Sequence, residues 1–230
     1  MSTHASDQAK SAGSEWSDHL APVYAQVPLE IVNAKGVYLH TSDGRRVLDL
    51  YGGHAVAALG YDHPRWVEAL ATQARALCFQ SNAVPLEVRR RAATKLAKFC
   101  GLGLDTVFFV NSGAEANENA LRLACKVTGR GKVVALENGF HGRTAAAGAV
   151  TWGADKKWYG FPQKPFDVSF ITPGDVDKLS TLIDERTAAV IVEPVQGIAG
   201  AVDLPKAFLE ALRSRCTETG SVLIFDEVQC

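Results

Sequence analysis

Methionine occurs once in this 230-residue chain, cysteine five times, and aromatic residues make up 8%. The cysteines (Cys78, Cys100, Cys125, Cys216 and Cys230) are odd in number, form no CxxC pair and have no histidine at metal-ligand spacing. Neither a disulfide framework nor a zinc site is supported, and the thiols read as reduced residues of a cytosolic protein with no metal. Charge of one sign is also missing: 24 basic residues meet 25 acidic ones, for a net charge of −1. That leaves no electrostatic footprint for nucleic acid or an anionic membrane. No apolar run approaches the ~20 residues of a membrane span, and Met1 to Glu15 lack the apolar core of a signal peptide. The expectation is a soluble, cytoplasmic protein with no nucleic-acid or membrane partner.

What is present is an ordinary globular balance, 47% hydrophobic and 21% charged. A chain of this length can bury roughly 70–75% of its unfolded surface without a covalent staple. From Gly36 to Leu50 two β-prone runs meet at Asp43-Gly44, a strong hairpin signal. His63-Pro64 opens a helical pattern through Val67, Leu70, Ala71, Ala74 and Leu77, and a second follows Pro85 through Val88, Ala92, Leu96 and Phe99. After Gly103 short apolar runs alternate with helix-length segments. Strands are expected at Thr106 to Val110, Lys132 to Leu136, Val168 to Ile171, Ala188 to Val192 and Val222 to Phe225. Helices are expected at Ala114 to Val127, over Val176, Leu179, Leu182 and Ile183, and at Pro205 to Thr219. Apolar strands separated by helices predict an α/β fold, a mainly parallel sheet covered by helices on both faces. Only four residues separate the last strand, ending at Phe225, from Cys230, with no room for a further crossover helix, so the fold reads as cut midway.

Ligands of an open α/β sheet bind beyond the carboxyl ends of its strands. Asn111-Ser112-Gly113-Ala114-Glu115 sits between a strand and a helix. Ser112 and Glu115 have the form of a capping box, and the same N–H groups form a cup for phosphate. Asp226-Glu227 follows V-L-I-F, where a carboxylate needs a cationic or hydrogen-bonding partner. It could cap a helix, bind magnesium or pair with a cationic ring nitrogen; the magnesium reading requires G-x-x-x-x-G-K-[ST], which is absent. Phe140-His141-Gly142-Arg143-Thr144 offers an aromatic face and a guanidinium suited to a carboxylate. Glu193-Pro194 is a further polar group on this rim. A phosphate cup, a buried carboxylate and an aromatic face together are what pyridoxal 5'-phosphate needs.

The strings L-D-L-Y-G-G-H-A-V-A-A-L-G-Y-D-H-P, F-F-V-N-S-G-A-E-A-N-E, N-G-F-H-G-R-T, V-E-P-V-Q-G and F-D-E-V-Q-C, with P-V-Y-A near the start, resemble the class III pyridoxal-phosphate aminotransferases. Within that family the acetylornithine branch is the most similar, with ornithine, succinylornithine and 4-aminobutyrate enzymes near it. The resemblance implies fold type I, with a flexible N-terminus (1–20), a small-domain segment carrying the hairpin (21–60) and a partial large cofactor-binding domain (61–230). It implies that Ser112, Gly113 and Ala114 bind the cofactor phosphate, that Phe140 and Val228 pack on the two ring faces, that Asp226 pairs with the ring nitrogen and that Gln229 reaches the phenolic oxygen. Arg143 would hold the substrate carboxylate, with His141 and Glu193 on the site's rim. The implied reaction moves the terminal amino group of N-acetylornithine to 2-oxoglutarate in two stages through pyridoxamine phosphate, in arginine biosynthesis and as a homodimer.

Three departures stand out. Ala114 replaces the usual Thr or Ser, and Ile198 replaces the Glu of relatives with a gated arginine. The family's Schiff-base lysine lies past the D-E-x-Q motif, and none of the eleven lysines here takes its place. The chain alone is therefore expected to be inactive and poorly soluble, with a non-catalytic remnant as the alternative.

Overall fold

The computed structural model describes residues 19, 21 and 23–230. Apart from His19, the expected flexible stretch 1–20 lies outside the described residues, as does Pro22 of the P-V-Y-A string. The chain divides into two compact units, one ending at Gln80 and the other running from Ser81 to Cys230.

In the first unit, β1 (Ile31–Lys35), β2 (Tyr38–Thr41) and β3 (Arg46–Leu48) form an antiparallel sheet in that order. The Asp43-Gly44 turn joins β2 to β3, and Gly44 sits at φ +82°. The sequence reading found this hairpin but not β1, which pairs with β2 across a second tight turn at Gly36, φ +58°. An irregular turn, α1 (Gly52–Ala55), precedes α2 (Pro64–Leu77), which begins on the proline where the sequence placed it.

The second unit opens with α3 (Glu87–Cys100), closed by Gly101. Then come α4 (Gly113–Thr128), β4 (Lys132–Leu136), α5 (Ala145–Ala149), α6 (Ala154–Lys157), β5 (Asp167–Ile171), α7 (Leu179–Leu182), β6 (Thr187–Val192), the short ribbon β7 (Val195–Gln196) and β8 (Val202–Asp203), α8 (Lys206–Thr219) and β9 (Val222–Phe225). The long helices end as their sequences dictate, Gly129 and Gly220 adopting the left-handed conformation that closes α4 and α8.

Strands β5, β4, β6 and β9 lie parallel in that order. Alternation along β4 and β6 sends side chains into two cores. Val134, Leu136, Val190 and Val192 meet Leu179 of α7, Ile183 just after it, and Phe208 and Leu212 of α8, while Val133, Ala135, Ala189 and Ile191 meet Leu121, Ala124, Ala146 and Val150 from the α4–α5 side. This is why these strands read as continuous apolar runs: both faces are buried. The α/β expectation with helices on each side holds.

Two expected elements differ. Thr106 to Val110 is not a strand, and Phe108 and Phe109 are exposed. A strand exists only by pairing, and no described strand lies beside this segment. The helix expected from Val176 shrinks to the single turn of α7, because Asp175 Oδ1 accepts the Lys178 N–H and Val176 N–H turns back to Gly174 O, so the first residues form a turn.

Candidate functional site

Parallel register brings the chemistry together. Ala135 of β4 pairs with Ile191 of β6, and Val192 pairs with Phe225 of β9. The residues just past these strands, Phe140-His141, Glu193 and Asp226, therefore leave the sheet on one edge. The Asp226 N–H donates to Val192 O at 2.8 Å, continuing the ladder by one bond. The chain runs outward from β4 to β5 and returns to β6 on the other side of β4, so the order switches between β4 and β6. A crevice is expected at such a switch.

Ser112 is the N-cap of α4, its Oγ accepting the Glu115 N–H at 3.1 Å. The expected capping box is only half made. Glu115 Oε2 accepts the Asn111 N–H at 2.6 Å, one residue before the cap, rather than that of Ser112 itself. Gly113 is glycine for a steric reason, since a Cβ there would lie 2.7 Å from Val228 Cγ2. The helix start and the segment after β9 thus touch, although their sequence positions are far apart. Gly197 is similar, with Gln229 Cβ and Oε1 at 3.2 and 3.3 Å from where its Cβ would be.

Asp226 is 5% exposed and surrounded by donors. Its Oδ2 accepts from Asn117 Nδ2 at 2.7 Å and faces His141 Nδ1 at 2.8 Å, and its Oδ1 accepts the Val228 N–H at 3.2 Å. A carboxylate only accepts, so His141 Nδ1 carries the hydrogen. Asn117 also donates to His141 O at 2.9 Å, and Thr151 Oγ1 accepts the His141 N–H at 2.9 Å. Glu193, also 5% exposed, accepts the Phe140 N–H through Oε1 at 2.7 Å and the Gly197 N–H through Oε2 at 3.3 Å. Burial pushes the Glu193 carboxyl above its ordinary range, opposed by the Phe140 N–H and by His141.

The Arg143 guanidinium lies over two rings, 5.1 Å from the Phe140 centroid and 5.8 Å from that of Trp158. Glu118 on α4 fixes the next residues, its Oε2 accepting the Ala146 N–H at 2.8 Å and the Ala147 N–H at 3.1 Å, with the Thr144 hydroxyl as a third donor. Gly142, at φ +130°, lets this loop press on the helix start, because a Cβ there would lie 2.6 Å from Ala114 Cβ and 2.9 Å from its Cα. Ile198 is exposed.

The structure therefore links Gly113 to Val228, Asp226 to His141 and Asn117, Phe140 to Glu193, and Gln229 to Gly197. Sequence reasoning passed over Asn117, Glu118 and Thr151. Asn117 had left a sign, a polar residue on the buried stripe that α4 shares with Leu121 and Ala124. The groups present fit pyridoxal phosphate. Among the described residues the Gly113 and Ala114 N–H groups that open α4 have no hydrogen-bond partner, and Asp226 offers a buried carboxylate held by three donors.

The sequence profile of the class III aminotransferases, "Aminotransferase class-III", matches residues 20–230, and the chain belongs to that family. It is 40% identical over 223 residues to acetylornithine aminotransferase of Corynebacterium efficiens, covering 93% of this chain and 55% of that relative. It is 43% identical over 227 residues to succinylornithine transaminase of Salmonella paratyphi A, covering 94% and 53%. Among solved structures, the ornithine aminotransferase of Toxoplasma gondii, with pyridoxal phosphate at partial occupancy, superposes with a TM-score of 0.84 at 30% identity, over 92% of this chain and 51% of that one. The chain spans about half the length of the curated relatives it matches.

Proposed function

We propose that the intact protein carrying this chain is a cytoplasmic pyridoxal-phosphate transaminase. It moves the terminal amino group of N-acetylornithine, or of a near analogue, to 2-oxoglutarate, and works as a homodimer. One observation carries the reading: a buried carboxylate, Asp226, is held by three donors beside a helix start whose Gly113 touches Val228, two residues from that carboxylate. The relatives named above support the amino donor, and they differ in the acyl group.

The bound cofactor supplies a cationic ring that takes up an amino group from one substrate and returns it to another. The residues of this chain hold and tune it. Backbone N–H groups of Gly113 and Ala114 at the start of α4 receive the phosphate, and the Ser112 hydroxyl, which already accepts the Glu115 N–H, still has a hydrogen to donate. With Ala114 in place of Thr or Ser, backbone carries more of that work. Phe140 and Val228 pack against the ring, and Gln229 bonds its phenolic oxygen. Asp226 accepts a proton-bearing ring nitrogen: Asn117 and His141 already donate to Oδ2 and the Val228 N–H to Oδ1, which leaves the second lone pair of Oδ1 for that bond. Arg143, braced by the rings of Phe140 and Trp158, pairs with the carboxylate of the donor. The lysine that moves the substrate proton is assigned to the part of the protein that matches the remaining half of the relatives.

The test uses the intact protein. Bound-cofactor absorbance is measured first, then single-turnover amino transfer from N-acetylornithine, N-succinylornithine, ornithine and 4-aminobutyrate. Cofactor absorbance that is bleached fastest by an N-acylated ornithine, and loss of transfer in Asp226→Ala, are expected. A protein without cofactor absorbance, or transfer from none of the four donors, overturns the reading.

A further inference from the structure

An amide on a buried apolar helix stripe is costly unless it is bonded, and Asn117 holds such a place on α4, ahead of Leu121 and Ala124. Its Nδ2 lies 2.7 Å from Asp226 Oδ2 and 2.9 Å from His141 O. A carboxylate and a carbonyl both accept, so the NH2 group must face them, and its two hydrogens are committed there.

Gly113 stands four residues earlier, one helical turn away and therefore on the same side of α4. Its close neighbour there is Val228, whose own N–H donates to Asp226 Oδ1 at 3.2 Å. The first two turns of α4 are thus fastened twice to the segment that follows β9. At Gly113, where the helix N–H groups open, the tie is an apolar contact, which has no direction. At Asn117 it is a hydrogen bond to the carboxylate itself, which weakens steeply when its distance or angle is lost.

We propose that Asn117 is a positioning residue that sets the spacing between the phosphate cup at the start of α4 and the carboxylate of Asp226. A ligand with a phosphate and a cationic ring nitrogen on one stiff frame then meets both subsites at once. Through His141 O the same amide holds the loop that carries Phe140 in register with them. The inference rests on the function proposed above.

A frame bearing both groups outdoes its two separate pieces only as far as the protein holds the subsites at the frame's own spacing. The quantity to measure in the intact protein is a linkage factor, the affinity for pyridoxal phosphate divided by the product of the affinities for pyridoxal and for inorganic phosphate. Absorbance titration gives the first two affinities, and competition against pyridoxal phosphate gives the third. Asn117→Leu keeps the size of the side chain and removes both donors. The factor is expected to fall about tenfold, the lower end of the loss seen when outer hydrogen-bond partners are removed at metal sites. Asn119→Leu is the control, because Asn119 Nδ2 donates within the helix, to Glu115 O at 2.8 Å, and its loss should leave the factor as in the wild type. A role confined to folding would lower the unfolding midpoint of Asn117→Leu and leave its factor unmoved, and that result overturns the inference. So does an equal fall in Asn119→Leu. If Asn117→Leu does not fold, Asn117→Ser, with one hydrogen to give on a shorter arm, decides by the same outcomes. A wild type that takes up no pyridoxal phosphate overturns the function proposed above and this inference with it, whereas uptake by the wild type with an unmoved factor in the variant removes only the part assigned to Asn117.

Discussion

Gly142 is the position where a single methyl group does the most damage for a calculable reason. Its φ of +130° lies in a region that side chains rarely adopt, which costs about 1–3 kcal/mol for any other residue. Its added Cβ would also meet three groups that cannot swing aside: Ala114 Cβ at 2.6 Å, Ala114 Cα at 2.9 Å and Ala147 Cβ at 3.1 Å. Overpacking of this kind costs about 1–3 kcal/mol more, so Gly142→Ala should lose about 2–6 kcal/mol in all, a large share of the ~5–15 kcal/mol that holds a typical domain folded. Gly129 provides the control. It is also left-handed, at φ +70°, but nothing lies within 4 Å of its Cβ direction, so Gly129→Ala should lose only about 1 kcal/mol. Urea unfolding of the intact protein, followed by tryptophan fluorescence, measures both. Equal losses in the two variants would refute the argument from crowding. If Gly142→Ala remains folded, the start of α4 must have moved, and pyridoxal phosphate uptake should fall with it.

Glu118→Ala leaves the Ala146 and Ala147 N–H groups and the Thr144 hydroxyl without their acceptor, which should cost about 1–3 kcal/mol by unfolding midpoint. Because those residues directly follow Arg143, the same variant should raise the KM for a carboxylate-bearing donor more than it lowers kcat; an unchanged KM would separate this loop from donor binding. Asp184 gives a pH signature. The Arg186 guanidinium first, and Lys132 at 3.1 Å, hold its carboxyl below the ordinary value of 3.8, so the folded state gains from its charge above that value and loses the gain as the pH falls below it. Asp184→Asn should therefore flatten the acid limb of the stability curve and change little in slope above pH 5; an acid limb as steep as in the wild type would rule the pair out as its source.

Much of the fold was legible because each signal was local. Pro64 and Gly129 mark helix ends by their own backbone limits, and Asp43-Gly44 makes a tight turn wherever it flanks β-prone runs. The apolar runs of β4 and β6 announced burial on both faces. Failure came where an element needs a remote partner. Thr106 to Val110 has the composition of a strand, yet β structure is a relation between segments, and no described segment pairs with it. Asp175 and Gly174 diverted a helical pattern by bonds that periodicity does not register.

The site divides along the same line. By itself the sequence determined which residue types stand at strand ends and helix starts, and so which ligand chemistry they suit, because backbone limits and side-chain chemistry belong to each residue. Only the tertiary structure decided that Asn117, His141 and Val228 converge on Asp226, that Glu193 reaches across to Phe140, and that Gly113 and Gly142 are glycines for want of room. Those facts depend on the register between β4, β6 and β9 and on the docking of α4, which are energies of contact between distant segments and are written in no single stretch of the chain.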